Sequence, residues 1–208
     1  QMRNWYYYNW LCGDHIVEQH IHNLDVCNWM KQAYPVSAAG MGGRLVRTDK
    51  KYGEIFDHHA VEYVYADGSR TFSQCRHMPG CKSDVSEHAH GTKGTVDLGG
   101  RTYEISGETN WKHKGKYRDP YQVENDNLFA AIRSGTHYTE AENGADATMT
   151  AIMRRMATYS GKVIPWDQAI KSELSLMPER FAWDANPQSM PNENGEYAIQ
   201  QPGLTRVM

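Results

Sequence analysis

From Gly13 to Asp25 the chain reads G-D-H-I-V-E-Q-H-I-H-N-L-D, with His15, His20 and His22 interleaved with Asp14, Glu18 and Asp25. At about 100° per residue, Val17, Ile21 and Leu24 fall together as an apolar stripe. Asp14, His15, Glu18, His22 and Asp25 gather on a different face, and His20 lies outside that sector. The spacing predicts a helix from near Asp14 to Lys31, buried along one side and lined with proton-exchanging groups on the other. One chemistry for such a face is acid/base: His22 moves a proton while Glu18, one turn earlier, balances and orients its ring. A second is metal binding by His15, Glu18 and His22, although H-x-x-E-x-x-x-H lacks the i, i+4 histidine pair of the H-E-x-x-H helix. A third is structural, with Asp14 as a helix cap and the histidines solvated.

The other chemistry-bearing residues are scattered. His58 and His59 point to opposite faces of a strand, and His88 and His90 share one; both pairs read as ordinary polar strand residues. Cys12, Cys27, Cys75 and Cys81 are too few and too irregularly spaced for a disulfide scaffold or a zinc site. Free or buried thiols fit them, with a Cys75–Cys81 bridge across Pro79-Gly80 as the alternative. His15 on the polar helix face, and Arg44, Arg76 and His77 from their strand positions, are candidate substrate contacts. Gly91-Thr92-Lys93-Gly94-Thr95 lacks the phosphate-loop frame, and no G-x-G-x-x-G follows a strand, so no nucleotide-binding half is visible. Trp5-Tyr6-Tyr7-Tyr8-Asn9-Trp10 reads as core or interface packing, with a sugar-stacking platform as the alternative.

Several elements must position these groups. Val36 to Val46 reads as a glycine-rich strand. Ala60–Tyr65 and Thr71–Cys75 form a hairpin across Asp67-Gly68. A second hairpin is expected from Thr95–Leu98 across Gly99-Gly100 to Arg101–Ile105. Helical spacing returns from Pro120 to Ser134, and again from Gly144 to Tyr159, where Met149, Ile152, Met153 and Met156 are core filler. Trp166 to Ser172 is a short further turn. The order helix, antiparallel strands, helices gives an α+β fold with an open, mostly antiparallel sheet carrying helices on one face. Residues 1–208 are expected as one domain, with 177–208 an extended tail rich in Pro and Asn.

At 208 residues, 39% hydrophobic and 23% charged, the chain can bury a real core. A net charge of -3 gives no reason to expect nucleic acid, and no apolar run reaches the length of a membrane span.

Glu18-x-x-x-His22-x-x-Asp25, the run Gly91 to Thr95, the helix Asn127 to Gly135 and the segment Ala145 to Ser160 together resemble the C-terminal domain of the Gfo/Idh/MocA oxidoreductases. This is the glucose-fructose oxidoreductase and inositol dehydrogenase family, and the likeness runs from about Asp14 to Trp166. It implies a domain that follows a Rossmann domain binding NAD or NADP, so the chain is expected to lack its cofactor half and to be inactive alone. The family's D-x-x-x-H pair falls on Glu18 and His22, with Glu replacing the usual Asp. The implied partners are a sugar or polyol substrate, the missing Rossmann domain and further copies of the chain through the sheet. A stand-alone carbohydrate-binding module, or a metal-dependent hydrolase or isomerase using His15, Glu18 and His22, are the other functional classes.

Overall fold

The computed structural model describes residues 2–99 and 102–208. A 3-10 segment, Met2–Tyr7, leads into three helices, α1 (Asn9–Cys12), α2 (His15–Glu18) and α3 (Ile21–Lys31). Strands β1 (Ser37–Gly43), β2 (His58–Val64), β3 (Arg70–Arg76), β4 (His88–Gly91), β5 (Gly94–Asp97), β6 (Glu104–Gly107) and β7 (Trp111–Lys112) follow. Helices α4 (Pro120–Ser134) and α5 (Ala141–Ser160), strand β8 (Ile164–Pro165) and helix α6 (Trp166–Ala169) complete the regular elements. Every strand pairing among the described residues is antiparallel. No helix among them is long and apolar enough to cross a membrane.

The α+β, antiparallel expectation holds, and the strands are distributed over two sheets of four, β3-β2-β1-β8 and β4-β5-β6-β7. Residues 1–82 with 146–208 form one compact unit and residues 83–145 a second. In the second unit, Asp119 caps α4 by accepting from the Tyr121 and Gln122 amides, and Gly135 ends it in a left-handed turn at φ 66°. The β5–β6 hairpin forms with Thr95 opposite Ser106, but Gly100 and Arg101 of its connection lie outside the described residues.

The first unit holds the main core. Along β2 the burial alternates, so His59, Val61 and Tyr63 face inward while Ala60 and Glu62 face out. Helices α3 and α5 cover the inward face. Tyr63 Oη donates to the Thr150 carbonyl at 3.1 Å, and Asn28 Nδ2 reaches Thr150 Oγ1 at 3.0 Å. Strand β1 is built from small residues because β2 fills the space beside it: Ala38 pairs with Tyr63, Gly40 with Val61 and Gly42 with His59. A Cβ on Gly42 would meet the His58 carbonyl oxygen at 2.8 Å and His59 Nδ1 at 3.2 Å. The outer face of this sheet stays open, with Met41 and Phe72 each more than two-thirds exposed. After Ala169 no helix or strand occurs, yet this stretch is tied down: Ser189 Oγ donates to Glu54 Oε2 at 2.6 Å and Val207 is buried.

One expectation fails locally. The single helix from Asp14 to Lys31 is two helices, broken at Gln19-His20, whose amides both turn back to the His15 carbonyl at 2.9 and 3.2 Å. The cause lies in side-chain chemistry. His20 bonds Ser73 Oγ on β3 at 2.8 Å, and meeting that partner takes precedence over continuing the helix.

Packing between β1 and β2 yields a direct test. A methyl group at position 40 would press on the Val61 side chain and stand 2.6 Å from the Ala60 carbonyl oxygen. Gly40→Ala should therefore destabilise the chain by about 1–3 kcal/mol in a denaturant titration, as overpacked cores do. An unchanged midpoint would show that the two strands have slack.

Candidate functional site

The centre of the first unit is polar. Asp14 is fully buried at φ 84°, ψ 153°, a backbone region that is essentially confined to glycine. Gly13 before it, at φ 75°, makes the reversal from α1 into α2. Asp14 occupies the cap position of α2, but its side chain makes no cap hydrogen bond. The carboxylate turns inward instead, so the capping role read from the sequence is not the one it plays.

Its oxygens are heavily used. Oδ2 accepts from the Tyr159 hydroxyl and from the Phe56 amide at 3.3 Å. Oδ1 lies 2.9 Å from His15 Nδ1 and 3.4 Å from His59 Nε2. The His15 contact is an ion pair without aligned hydrogen-bond geometry, which leaves Nδ1 without a hydrogen-bond partner. The outer nitrogens are held as well: His59 Nδ1 is 2.9 Å from Thr158 Oγ1, and His15 Nε2 is 3.2 Å from Cys75 Sγ. Thr158 Oγ1 also lies within hydrogen-bond reach of the Arg154 and Arg155 carbonyls on α5, at 3.1 and 3.2 Å. His59 is thus held between Thr158 through Nδ1 and Asp14 through Nε2.

Charge is distributed accordingly. Burial opposes ionisation of Asp14, but the neighbouring His59 and His15 rings hold its carboxyl well below the ordinary range. Burial also opposes charge on His15, yet Asp14 and Cys75 lift it to about 10. Burial pushes His59 down, against the pull of the Asp14 carboxylate. Arg154 is fully buried beside them and donates to Ser73 Oγ, the Ser73 carbonyl and the His59 carbonyl at 2.7, 3.1 and 3.0 Å.

A column of rings leads outward from this centre. His15 stacks on His77 at 4.7 Å and 15°, and His77 stacks on Tyr6 at 5.3 Å and 18°. His77 is half-buried, fixed through its carbonyl by Arg47 Nε at 2.7 Å and through its amide by the Asp57 carbonyl at 2.8 Å. Burial, then the charges on His15 and Arg47, lower it to about 4.

The residues singled out from the sequence are dispersed. His22 is exposed on α3; Glu18, half-buried at the end of α2, has Oε2 buried without a hydrogen-bond partner. No hydrogen bond or ion pair joins them among the described residues. His15 and His77 are brought together. Arg44 is committed to the backbone, donating to the carbonyls of Arg47, Gly53 and Asp49. Arg76 is exposed and reaches the Lys82 carbonyl at 3.3 Å. The metal set His15, Glu18, His22 is not assembled, because the break at Gln19-His20 and the burial of His15 separate its members. Among the described residues, the group with metal-ligating geometry is Asp14, His15 and His59. All four cysteines are free thiols, so Cys75 and Cys81 are not bridged.

Sequence reasoning passed over His59, Tyr159, Cys75 and Arg154. The signal for His59 was present in the β2 alternation, which sets it on the same face as Val61 and Tyr63. Arg154 sits among Met153, Met156 and Ala157 at core spacing and carried no such signal.

No protein-family model and no curated protein matches the sequence. Solved structures do match. The aldose-aldose oxidoreductase of Caulobacter crescentus, solved with glycerol, superposes with a TM-score of 0.66 at 15% identity, covering 79% of this chain and 51% of its own. UDP-N-acetylglucosamine 3-dehydrogenase of Acidithiobacillus ferrooxidans gives 0.59 at 16% identity, over 69% and 46%. An oxidoreductase of Agrobacterium radiobacter, solved with NAD+, L-tartaric acid and magnesium, gives 0.54 at 12%, over 72% and 48%. The chain thus spans about half the length of the proteins it matches, and over that half it shares the fold of these oxidoreductases.

The buried histidines make a pH prediction. Burial, then the Arg154 charge, lowers His20 from 6.5 to about 3, so the native state keeps it neutral. Its contribution to stability is complete above pH 6.5 and drains away as pH falls toward 3, because the unfolded chain takes up the proton first. The melting temperature should fall over that window. His20→Gln, which retains a partner for Ser73 Oγ, should flatten the fall, whereas parallel wild-type and variant profiles would exonerate His20.

Proposed function

We propose that this chain is the substrate-binding and oligomerisation half of an NAD(P)-dependent oxidoreductase acting on a sugar or cyclitol, with His22 as acid/base and Glu18 as its carboxylate partner. The observation that carries the reading is an accessible imidazole, His22, on the first long helix of a domain with this fold. Glu18 carries a buried carboxylate oxygen without a hydrogen-bond partner, a costly feature that packing alone does not explain.

All strand pairs among the described residues are antiparallel, unlike the parallel β-α-β units that bind dinucleotides. NAD or NADP would be held by a separate Rossmann domain and would supply the hydride chemistry. The part of this chain is the proton: His22 Nδ1 or Nε2 accepts it from a substrate hydroxyl as the carbinol becomes a carbonyl, and returns it in the reverse direction. Arg76 and His77, at the end of β3, serve as substrate contacts. His15 acts behind His77, and Arg44 acts by holding its loop. Further copies of the chain join through the open face of β1–β3, where Met41, Phe72 and Val163 expose apolar surface beside Glu62 and Gln74.

Two measurements test this. With the chain joined to a nucleotide-binding half, His22→Asn should lower kcat by about 10²–10⁴-fold with little change in KM, as expected for loss of a general acid/base. Unchanged turnover would remove the assignment, and sugar binding by the chain alone, measured calorimetrically without nucleotide, would favour a carbohydrate-binding module instead. For assembly, Phe72→Arg should shift the sedimentation coefficient toward that of a single chain; an unaltered oligomer would place the contact elsewhere.

A further inference from the structure

We infer that Asp14, His15 and His59 hold one divalent transition-metal ion of the zinc class, clamping the strained Gly13-Asp14 turn to strand β2. The inference is independent of the acid/base role of His22. One donor atom from each residue lies within 4.8 Å of the others, and all three residues are at most 2% exposed. Two imidazoles and one carboxylate suit borderline divalent ions such as zinc, cobalt or iron rather than calcium or magnesium. Bonds of about 2.0–2.2 Å to such an ion set neighbouring donors about 3.4 Å apart. The His59 Nε2 separation from Asp14 Oδ1, 3.4 Å, matches that spacing, and the His15 Nδ1 contact, 2.9 Å, would open by about half an ångström to admit the ion.

The surroundings are those of ligands held from behind. Each ring turns one nitrogen toward Asp14 and has the other engaged, His59 Nδ1 by Thr158 Oγ1 and His15 Nε2 by Cys75 Sγ. Asp14 offers Oδ1 while Tyr159 and the Phe56 amide occupy Oδ2. Outer partners of this kind fix tautomer and orientation at metal-bound histidines. His59 Nε2 and His15 Nδ1 both face the same oxygen, Asp14 Oδ1, so the three donors converge. His15 Nδ1, buried and without a hydrogen-bond partner, is the third donor. The competing occupant is a proton on His15, which a metal ion displaces, so metal affinity falls as pH drops.

The test uses the purified chain, stripped with a chelator, loaded with Co(II) or Zn(II) near neutral pH and dialysed. One Co(II) per chain with visible d–d bands is expected, together with a melting temperature higher by roughly 5 °C or more. His59→Gln should lose both effects, and His90→Gln, on an exposed strand residue, should keep them. X-ray absorption of the loaded wild type supplies a readout that needs no variant, and should show imidazole scattering mixed with oxygen. Absence of retained metal and of any thermal shift in the wild type would mean that the site holds a proton only. Equal retention by His59→Gln, or an all-oxygen coordination shell, would mean adventitious surface binding; either result overturns the inference.

Discussion

Burial of the Asp14 carboxylate is the constraint around which the first unit is arranged. An ionised carboxylate removed from water is expensive unless hydrogen bonds and countercharge surround it. Here these come from four separate parts of the chain: His15 next to it, Phe56 before β2, His59 on β2 and Tyr159 on α5. Each partner fixes a segment, so the N-terminal helices, the sheet and α5 are brought into register by one anion. The hydrophobic cluster of Leu24, Phe56, Val61, Tyr63, Met153 and Ile164 packs around this arrangement and supplies the non-directional share of stability.

The polar core continues through Arg154. Its guanidinium has no carboxylate among its hydrogen-bond acceptors, which are Ser73 and the backbone carbonyl of His59. Ser73 Oγ in turn meets His20, which diverts the first helix. A single polar chain therefore runs from α5 through β3 to the break between α2 and α3. Glu18 and His22 end up on different sides of that break, with their separation set by packing rather than by one rigid helix.

Much of the architecture was legible in the residues. Asp67-Gly68 marked the β2–β3 turn and helical spacing marked α4 from Pro120 to Ser134, because turn chemistry and helix periodicity are local. Strand alternation on β2 was equally readable. The helix break was not, since its cause is Ser73, more than fifty residues away. For the same reason the face shared by Asp14, His15, Glu18 and His22 dissolved, and the buried cluster drew instead on His59 and Tyr159. Sequence periodicity reports neighbours on one element; it does not report which distant side chain will claim a histidine.

The backbone of Asp14 bears on how this position can change over generations. At φ 84°, ψ 153° glycine would relax the local strain, so backbone energetics alone favours replacing the acid. The same replacement would strand two imidazoles and a tyrosine hydroxyl in a dry interior without their anion. The residue persists only while selection on the cluster outweighs that pull, and a lineage released from it would drift first toward glycine at this one site.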